Sequence, residues 1–304
     1  MPLPVVYHPL YSAPLPSTHR FPMAKFSMLH ALLRNKHWIN EDQIHTPISI
    51  PRKDLERIHQ RHYHQAFSSD QLSRAEQRRI GLPATRPLVQ RTWIAVGGTL
   101  MTARLALERG IAAHLAGGTH HAHPAFGSGF CIFNDCAVTA QVLLDEGAVD
   151  RILILDLDVH QGDGTAACFR NDPRVFTASV HAASNFPLRK VPSNLDIALE
   201  DGTNDATYLE FIADRLPNLL DQLKPQLVLY NAGVDPHQDD RLGRLGLTNQ
   251  GLLMRDRLVL DACLRRMIPI ATVIGGGYDA LEPLVGRHAI VFRAASEQAR
   301  LYSI

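Results

Sequence analysis

The stretch Arg151–Gly164, RILILDLDVHQGDG, constrains the fold more than any other part of the chain. Apolar residues Ile152–Leu155 lead into Asp156, Asp158 and His160, and because strand side chains alternate with period two, these three polar groups share one face. A short apolar run of this kind is the mark of a buried parallel strand. One that ends in carboxylate and imidazole presents them at its carboxyl end, where open α/β sheets form their sites. A second strand of the same type, LVLYNAGVDPHQDD from Leu227 to Asp240, ends in Asp235. Together the two strands offer Asp158, His160 and Asp235 as metal donors, a set that leaves a coordination position open, as catalytic sites do. Oxygen and nitrogen donors suit zinc, and also iron or manganese.

The segment Gly117–Asp135, GGTHHAHPAFGSGFCIFND, adds tandem His120-His121 between glycines that let the backbone approach a site closely. Imidazole is the side chain best suited to moving protons near neutral pH. With the motifs LDLDVHQGDGTA, NAGVDPHQDDRLGRLGLT and IGGGYD following in that order, and HRFPMAKF at the amino end, the chain resembles the histone deacetylase family, most closely its class IV and bacterial members.

That resemblance spans nearly the whole chain. It implies the arginase/deacetylase fold, a three-layer α/β/α arrangement around a mostly parallel eight-stranded sheet. The implied activity is zinc-dependent hydrolysis of an N-acyl amide, most directly of ε-N-acyl-lysine, with iron(II) also suited to the donors; the class IV resemblance and the altered Ala182–Asn194 loop extend this expectation to longer acyl groups. His121 then serves as general base and later general acid, with Asp163 orienting it, while His120, held by Asp156, gives electrostatic support. Tyr278 donates to the carbonyl oxygen. Gly129 and Phe130 match the acyl-lysine channel, with Phe186 as the candidate for its opposite wall. A monovalent cation, potassium by resemblance, is implied beside Asp156, Ser179 and Val180. A basic residue near the cavity behind the metal is implied as well, either Lys25 or Arg20.

Two departures stand out. The loop Ala182–Asn194 lacks the glycine-rich form common in the family, and Gln161 stands where many members carry a second histidine. An arginase-type ureohydrolase needs further carboxylates two residues from the ligands, and Gly162 and Gly233 occupy those positions. Other readings are an acetylpolyamine or small-metabolite amidohydrolase and a catalytically silent acyl-lysine-binding module; the latter has no need of a proton-transfer pair.

Around these motifs, strands are expected at 3–7, 152–158, 174–181, 226–231, 269–274 and 289–292. Helices are expected at 23–35, 53–59, 62–67, 73–80, 88–115, 131–147, 162–169, 206–224 and 250–266. Residues 182–205 read as a loop. This βαβ rhythm points to a largely parallel sheet covered on both faces, in one catalytic domain spanning residues 1–304. Gly97-Gly98 points to close helix packing, and His59, His62 and His64 read as solvated or hydrogen-bonded surface residues.

Hydrophobic content of 45% and charged content of 20% are those of a globular protein with a large core. A formal net charge of +1 gives no electrostatic footprint for nucleic acid. With no signal-type or membrane-spanning run, a cytoplasmic protein is expected, whose partner is an acylated lysine or a small acylated amine. Cys131, Cys136, Cys168 and Cys263 read as buried thiols without chemistry, and oligomeric state is left open.

Overall fold

The computed structural model describes residues 2–304. Its strands are β1 (Val5–Val6), β2 (Ile44–His45), β3 (Ile111–His114), β4 (Ile152–Asp156), β5 (Val175–Ala182), β6 (Leu195–Leu199), β7 (Leu227–Asn231) and β8 (Ile270–Val273). They form one eight-stranded sheet in the order β2-β1-β3-β8-β7-β4-β5-β6, and every strand pair in it is parallel. The arginase/deacetylase α/β fold is thus present, with a sheet that is wholly parallel.

The helices are α1 (Lys25–Asn35), α2 (Arg52–Leu55), α3 (Arg61–Ser68), α4 (Arg74–Ile80), α5 (Arg86–Arg109), α6 (Asp135–Asp145), α7 (Asp163–Phe169), α8 (Asp205–Leu223), α9 (Asn249–Leu264) and α10 (Leu281–Leu301). Strands β3, β4, β7 and β8 are buried at every position, as runs covered on both faces must be. Among the described residues no helix is long and apolar enough to cross a membrane.

Four sequence expectations are corrected. The apolar pattern 88–115 contains two elements, because α5 ends at Gly110, whose φ of +85° stops the helix, and Ile111–His114 turns into a sheet strand. Within 182–205, Leu195–Leu199 adds β6 at the sheet edge, where the half-exposed, polar-interrupted run gave little signal. The segment 289–292 is no strand but lies within α10; four apolar residues cannot by themselves separate a strand from the inner face of a helix. His59 and His64 are buried rather than on the surface: His59 Nε2 accepts from the Asn134 N–H at 2.8 Å, and His64 Nε2 lies 2.9 Å from Glu56.

Gly98 makes the predicted close packing explicit. A Cβ there would stand 2.2 Å from Tyr11 Oη and 2.4 Å from His114 Nε2, two atoms already joined by a 2.6 Å hydrogen bond. Alanine gains about 0.8–1.0 kcal/mol in helix propensity over glycine, but overpacking a dense core costs about 1–3 kcal/mol. Gly98→Ala is therefore expected to lower unfolding stability in urea; a stabilised variant would show that the core yields at this point.

Candidate active site

The site sits at the carboxyl edge of four neighbouring strands, β3, β8, β7 and β4. Each strand leads into one segment of it. β4 leads into Asp158 and His160, β7 into Asp235, β8 into the Gly275–Tyr278 turn, and β3 into the tandem histidines.

One donor atom from each of Asp158, His160 and Asp235 lies within 4.8 Å of the others, and all three residues are buried. His160 Nδ1 stands 3.0 Å from Asp158 Oδ1 and 3.2 Å from Asp235 Oδ2. Backbone donors aim the carboxylates: Val159 N–H donates to Asp235 Oδ1 at 2.9 Å, and Gly276 N–H to Asp158 Oδ2 at 2.8 Å. Glycine is required at two neighbouring positions. A Cβ on Gly276 would meet Asp235 Oδ2 at 2.1 Å, and one on Gly233 would meet Asp158 Oδ2 at 2.6 Å. Two buried carboxylates converging on one imidazole form a donor set that a divalent cation fits.

The histidine loop is shaped by Gly117 and Gly118, both at positive φ. It is anchored by Asp135, whose carboxylate accepts from Gly118 N–H at 3.0 Å, Thr119 N–H at 2.8 Å and Thr119 Oγ1 at 2.6 Å. His120 Nδ1 meets Asp156 Oδ2 at 2.6 Å, and His121 Nδ1 meets Asp163 Oδ1 at 2.6 Å. Both expected carboxylate–imidazole pairs are thus formed, each leaving Nε2 turned away from its partner.

Their surroundings differ. Burial alone would lower His120, but the Asp156 and Asp158 carboxylates outweigh it and raise the ring to about 9. Burial, then the neighbouring His120 charge, lowers His121 to about 4 against the pull of Asp163. Cationic charge held at Asp158 would oppose the rise at His120. Tyr278 is kept a phenol by burial and then by the Asp158 and Asp235 carboxylates, which push it well above its ordinary value.

Tyr278 stacks loosely with Phe130, centroids 5.7 Å apart, and lies 6.2 Å from the His160 ring. Phe186 packs edge-on against His121 at 4.8 Å, and a Cβ on Gly129 would fall 3.1 Å from the Phe186 ring, so Gly129 and Phe186 line the same opening. The cross-strand neighbours Asp156 and Ser179 are both buried, and Ser179 Oγ is 2.9 Å from His181 Nδ1; Val180 follows on β5. Lys25 is buried, with Nζ donating to the Gly275 carbonyl at 3.3 Å, whereas Arg20 is exposed. Burial lowers the Lys25 ammonium to about 8, with Asp235 and Asp158 opposing.

Several contributors carried no sequence signal. Asn231 donates to Asp156 Oδ1 at 2.8 Å, fixing the carboxylate that holds His120. Asp240 accepts the Tyr278 N–H at 2.7 Å and those of Leu242 and Gly243, so it holds the tyrosine turn. His123 shares Asp163 at 2.9 Å. Arg91 joins Lys25 on the Phe26 ring and lines the same inner cavity. Gln161, the departure noted in the sequence, donates to Val191 O and Asp196 and accepts from Val191 N–H, tying the rim loop to the segment that carries His160.

A parallel α/β sheet with this constellation at its carboxyl edge defines a hydrolase of the arginase/deacetylase class. Residues 19–291 match the model of the histone deacetylase domain, and the chain belongs to that family. It is 52% identical over 298 residues to an uncharacterized protein of Picosynechococcus, covering 98% of this chain and 99% of that one. Histone deacetylase 2 of Arabidopsis thaliana is 29% identical over 272 residues, 86% of this chain and 70% of the relative. The crystal structure of a histone deacetylase homologue from Aquifex aeolicus superposes with a TM-score of 0.82 at 21% identity, covering 100% of this chain and 84% of that one, a likeness of fold.

Proposed function

We propose that the protein is a zinc-dependent amidohydrolase acting on ε-N-acyl-lysine, with Asp158, His160 and Asp235 as the metal ligands. The observation that carries this reading is the convergence of those three donors from two strands, with the His121–Asp163 pair beside them. When bound, the metal supplies an acidified water and polarises the scissile carbonyl.

The chain's own residues do the rest. His121, its Nδ1 held by Asp163, takes a proton at Nε2 from the attacking water and returns it to the departing amine. His120, held by Asp156, contributes charge rather than proton transfer. The Tyr278 hydroxyl donates to the carbonyl oxygen as negative charge builds on it, an interaction whose loss typically costs about 2.7–4 kcal/mol of barrier. Gly129, Phe130 and Phe186 flank the aliphatic stem. Potassium beside Asp156, Ser179 and Val180 would steady the strand ends, and the protein is read as one cytoplasmic catalytic unit.

Two observations favour lysine over a polyamine and a short acyl group over a long one. The acids that follow Asp235 are already engaged: Asp239 pairs with Arg287 at 3.1 Å and Asp240 holds the Tyr278 turn, while the rim loop carries Arg189 and Lys190. The cavity that runs from Gly129, Phe130 and Tyr278 past Asp158 to Lys25 and Arg91 has a volume of about 30 Å³, room for a water or two and not for an extended chain.

The test is turnover of acetyl-, octanoyl- and myristoyl-lysine peptides and of acetylpolyamines by zinc-loaded protein, with and without chelator. Chelator-sensitive hydrolysis, fastest on the acetyl peptide and graded along the series, is expected, because one methylene is worth only about 1–3 kcal/mol. Acetylspermidine turning over faster than every peptide would overturn the lysine assignment.

A further inference from the structure

Arg255 has the largest fully buried side chain in the protein, and it lies beneath the ligand cluster without touching it. From α9 its Nη1 donates to the Gly233 carbonyl at 2.6 Å and the Leu157 carbonyl at 3.3 Å. Leu157 immediately precedes Asp158, and Gly233 stands two residues before Asp235. One guanidinium nitrogen thus bridges the two segments that carry the carboxylate donors.

The bridge falls where the sheet stops holding those segments. The β4–β7 ladder runs from Ile152↔Leu227 to Asp156↔Asn231, and the last backbone bond between the two segments is Leu157 N–H to Asn231 O at 3.0 Å. Beyond it the segments are tied by the Val159 N–H bond to the Asp235 carboxylate, and by Arg255 from below.

The guanidinium is held in turn. Arg255 Nε donates to Asp256 Oδ1 at 2.9 Å, and the same oxygen accepts the Tyr230 hydroxyl at 2.6 Å; Asp256 and Tyr230 are fully buried. Arg255 Nη2, 2.9 Å from Asp256 Oδ1, makes no directed hydrogen bond among the described residues. A buried ion pair seldom stabilises more than apolar side chains of the same volume, so the pair is poorly explained as a contribution to stability. Its geometry explains it as a bracket.

We infer that Arg255, fixed by Asp256 and Tyr230, is a positioning residue that sets the spacing of the Asp158 and Asp235 donors. The inference rests on reading Asp158, His160 and Asp235 as the metal site. Outer-shell substitutions of this kind typically lower metal affinity about 10–100-fold.

The test uses the full chain, stripped of metal and titrated with Zn²⁺ against a chromophoric chelator, then with Co²⁺ to read the ligand field. Arg255→Met is expected to bind Zn²⁺ about 10–100-fold more weakly and to shift the Co²⁺ spectrum, and Arg255→Lys to recover part of both. Val259→Ala, one turn along α9 and equally buried, removes core packing with no polar group to lose and is expected to keep wild-type affinity. If Arg255→Met does not fold, Tyr230→Phe loosens the same bracket by deleting one hydroxyl, and is expected to weaken Zn²⁺ binding in the same direction. Wild-type affinity and spectrum in the bracket variants, or an equal loss in Val259→Ala, would overturn the inference. Failure of the wild-type protein itself to bind one Zn²⁺ per chain would overturn the metal-site reading on which it rests.

Discussion

Asp235→Ala is expected to lose bound metal and hydrolysis together. Asp235 is fully buried, and its two oxygens face Val159 N–H and His160 Nδ1, so no neighbouring group or solvent replaces the missing donor. Removing one of three protein ligands exceeds any outer-shell effect, so affinity should fall by more than about 100-fold. Wild-type protein should also melt at a higher temperature with added Zn²⁺, since a ligand that binds only the folded state stabilises it by mass action, and the variant should lose that response. Metal analysis and thermal melts check both, and full occupancy in the variant would remove Asp235 from the ligand set.

The second large effect separates the two histidines. His121→Ala is expected to lower kcat by about 10²–10⁴-fold with metal retained, the range typical of general acid–base groups. His120→Ala should cost distinctly less, because its ring faces Asp156 and Asp158 and contributes charge to the site. Single-turnover rates, with zinc content measured for each protein, make the comparison. Equal losses at equal occupancy would dissolve the division of labour.

The parts of the site that the sequence disclosed are those whose meaning is local. Asp158 and His160 follow one apolar run, Asp235 follows another, and His120-His121 stand together between glycines. Asn231, Asp135, Asp240, Arg91 and Arg255 were silent because each acts through a partner far along the chain, such as the Asp156 carboxylate 75 residues from Asn231. The same limit governs the fold. Buried strands with no polar interruption announced themselves, but Ile111–His114 continued the apolar pattern of α5, and α10 contained a strand-like quartet. The two candidates for the inner cation, Lys25 and Arg20, were separable only by burial, which depends on the packing of Phe21, Phe26 and Tyr278 around Lys25.

Gly162 and Gly233, where a two-ion hydrolase of related fold needs carboxylates, are closed to side chains altogether. A Cβ at Gly162 would stand 2.3 Å from Asp156 Oδ2, and one at Gly233 would stand 2.6 Å from Asp158 Oδ2 and 2.8 Å from Asp158 Cα. A donor added at Gly233 must displace the backbone of Asp158, and one added at Gly162 must displace the Asp156 carboxylate that holds His120. A lineage, or a designer, seeking to convert this centre into a two-ion one must therefore shift the Asp158 segment and give up the present support of His120 before the added carboxylates can be of use.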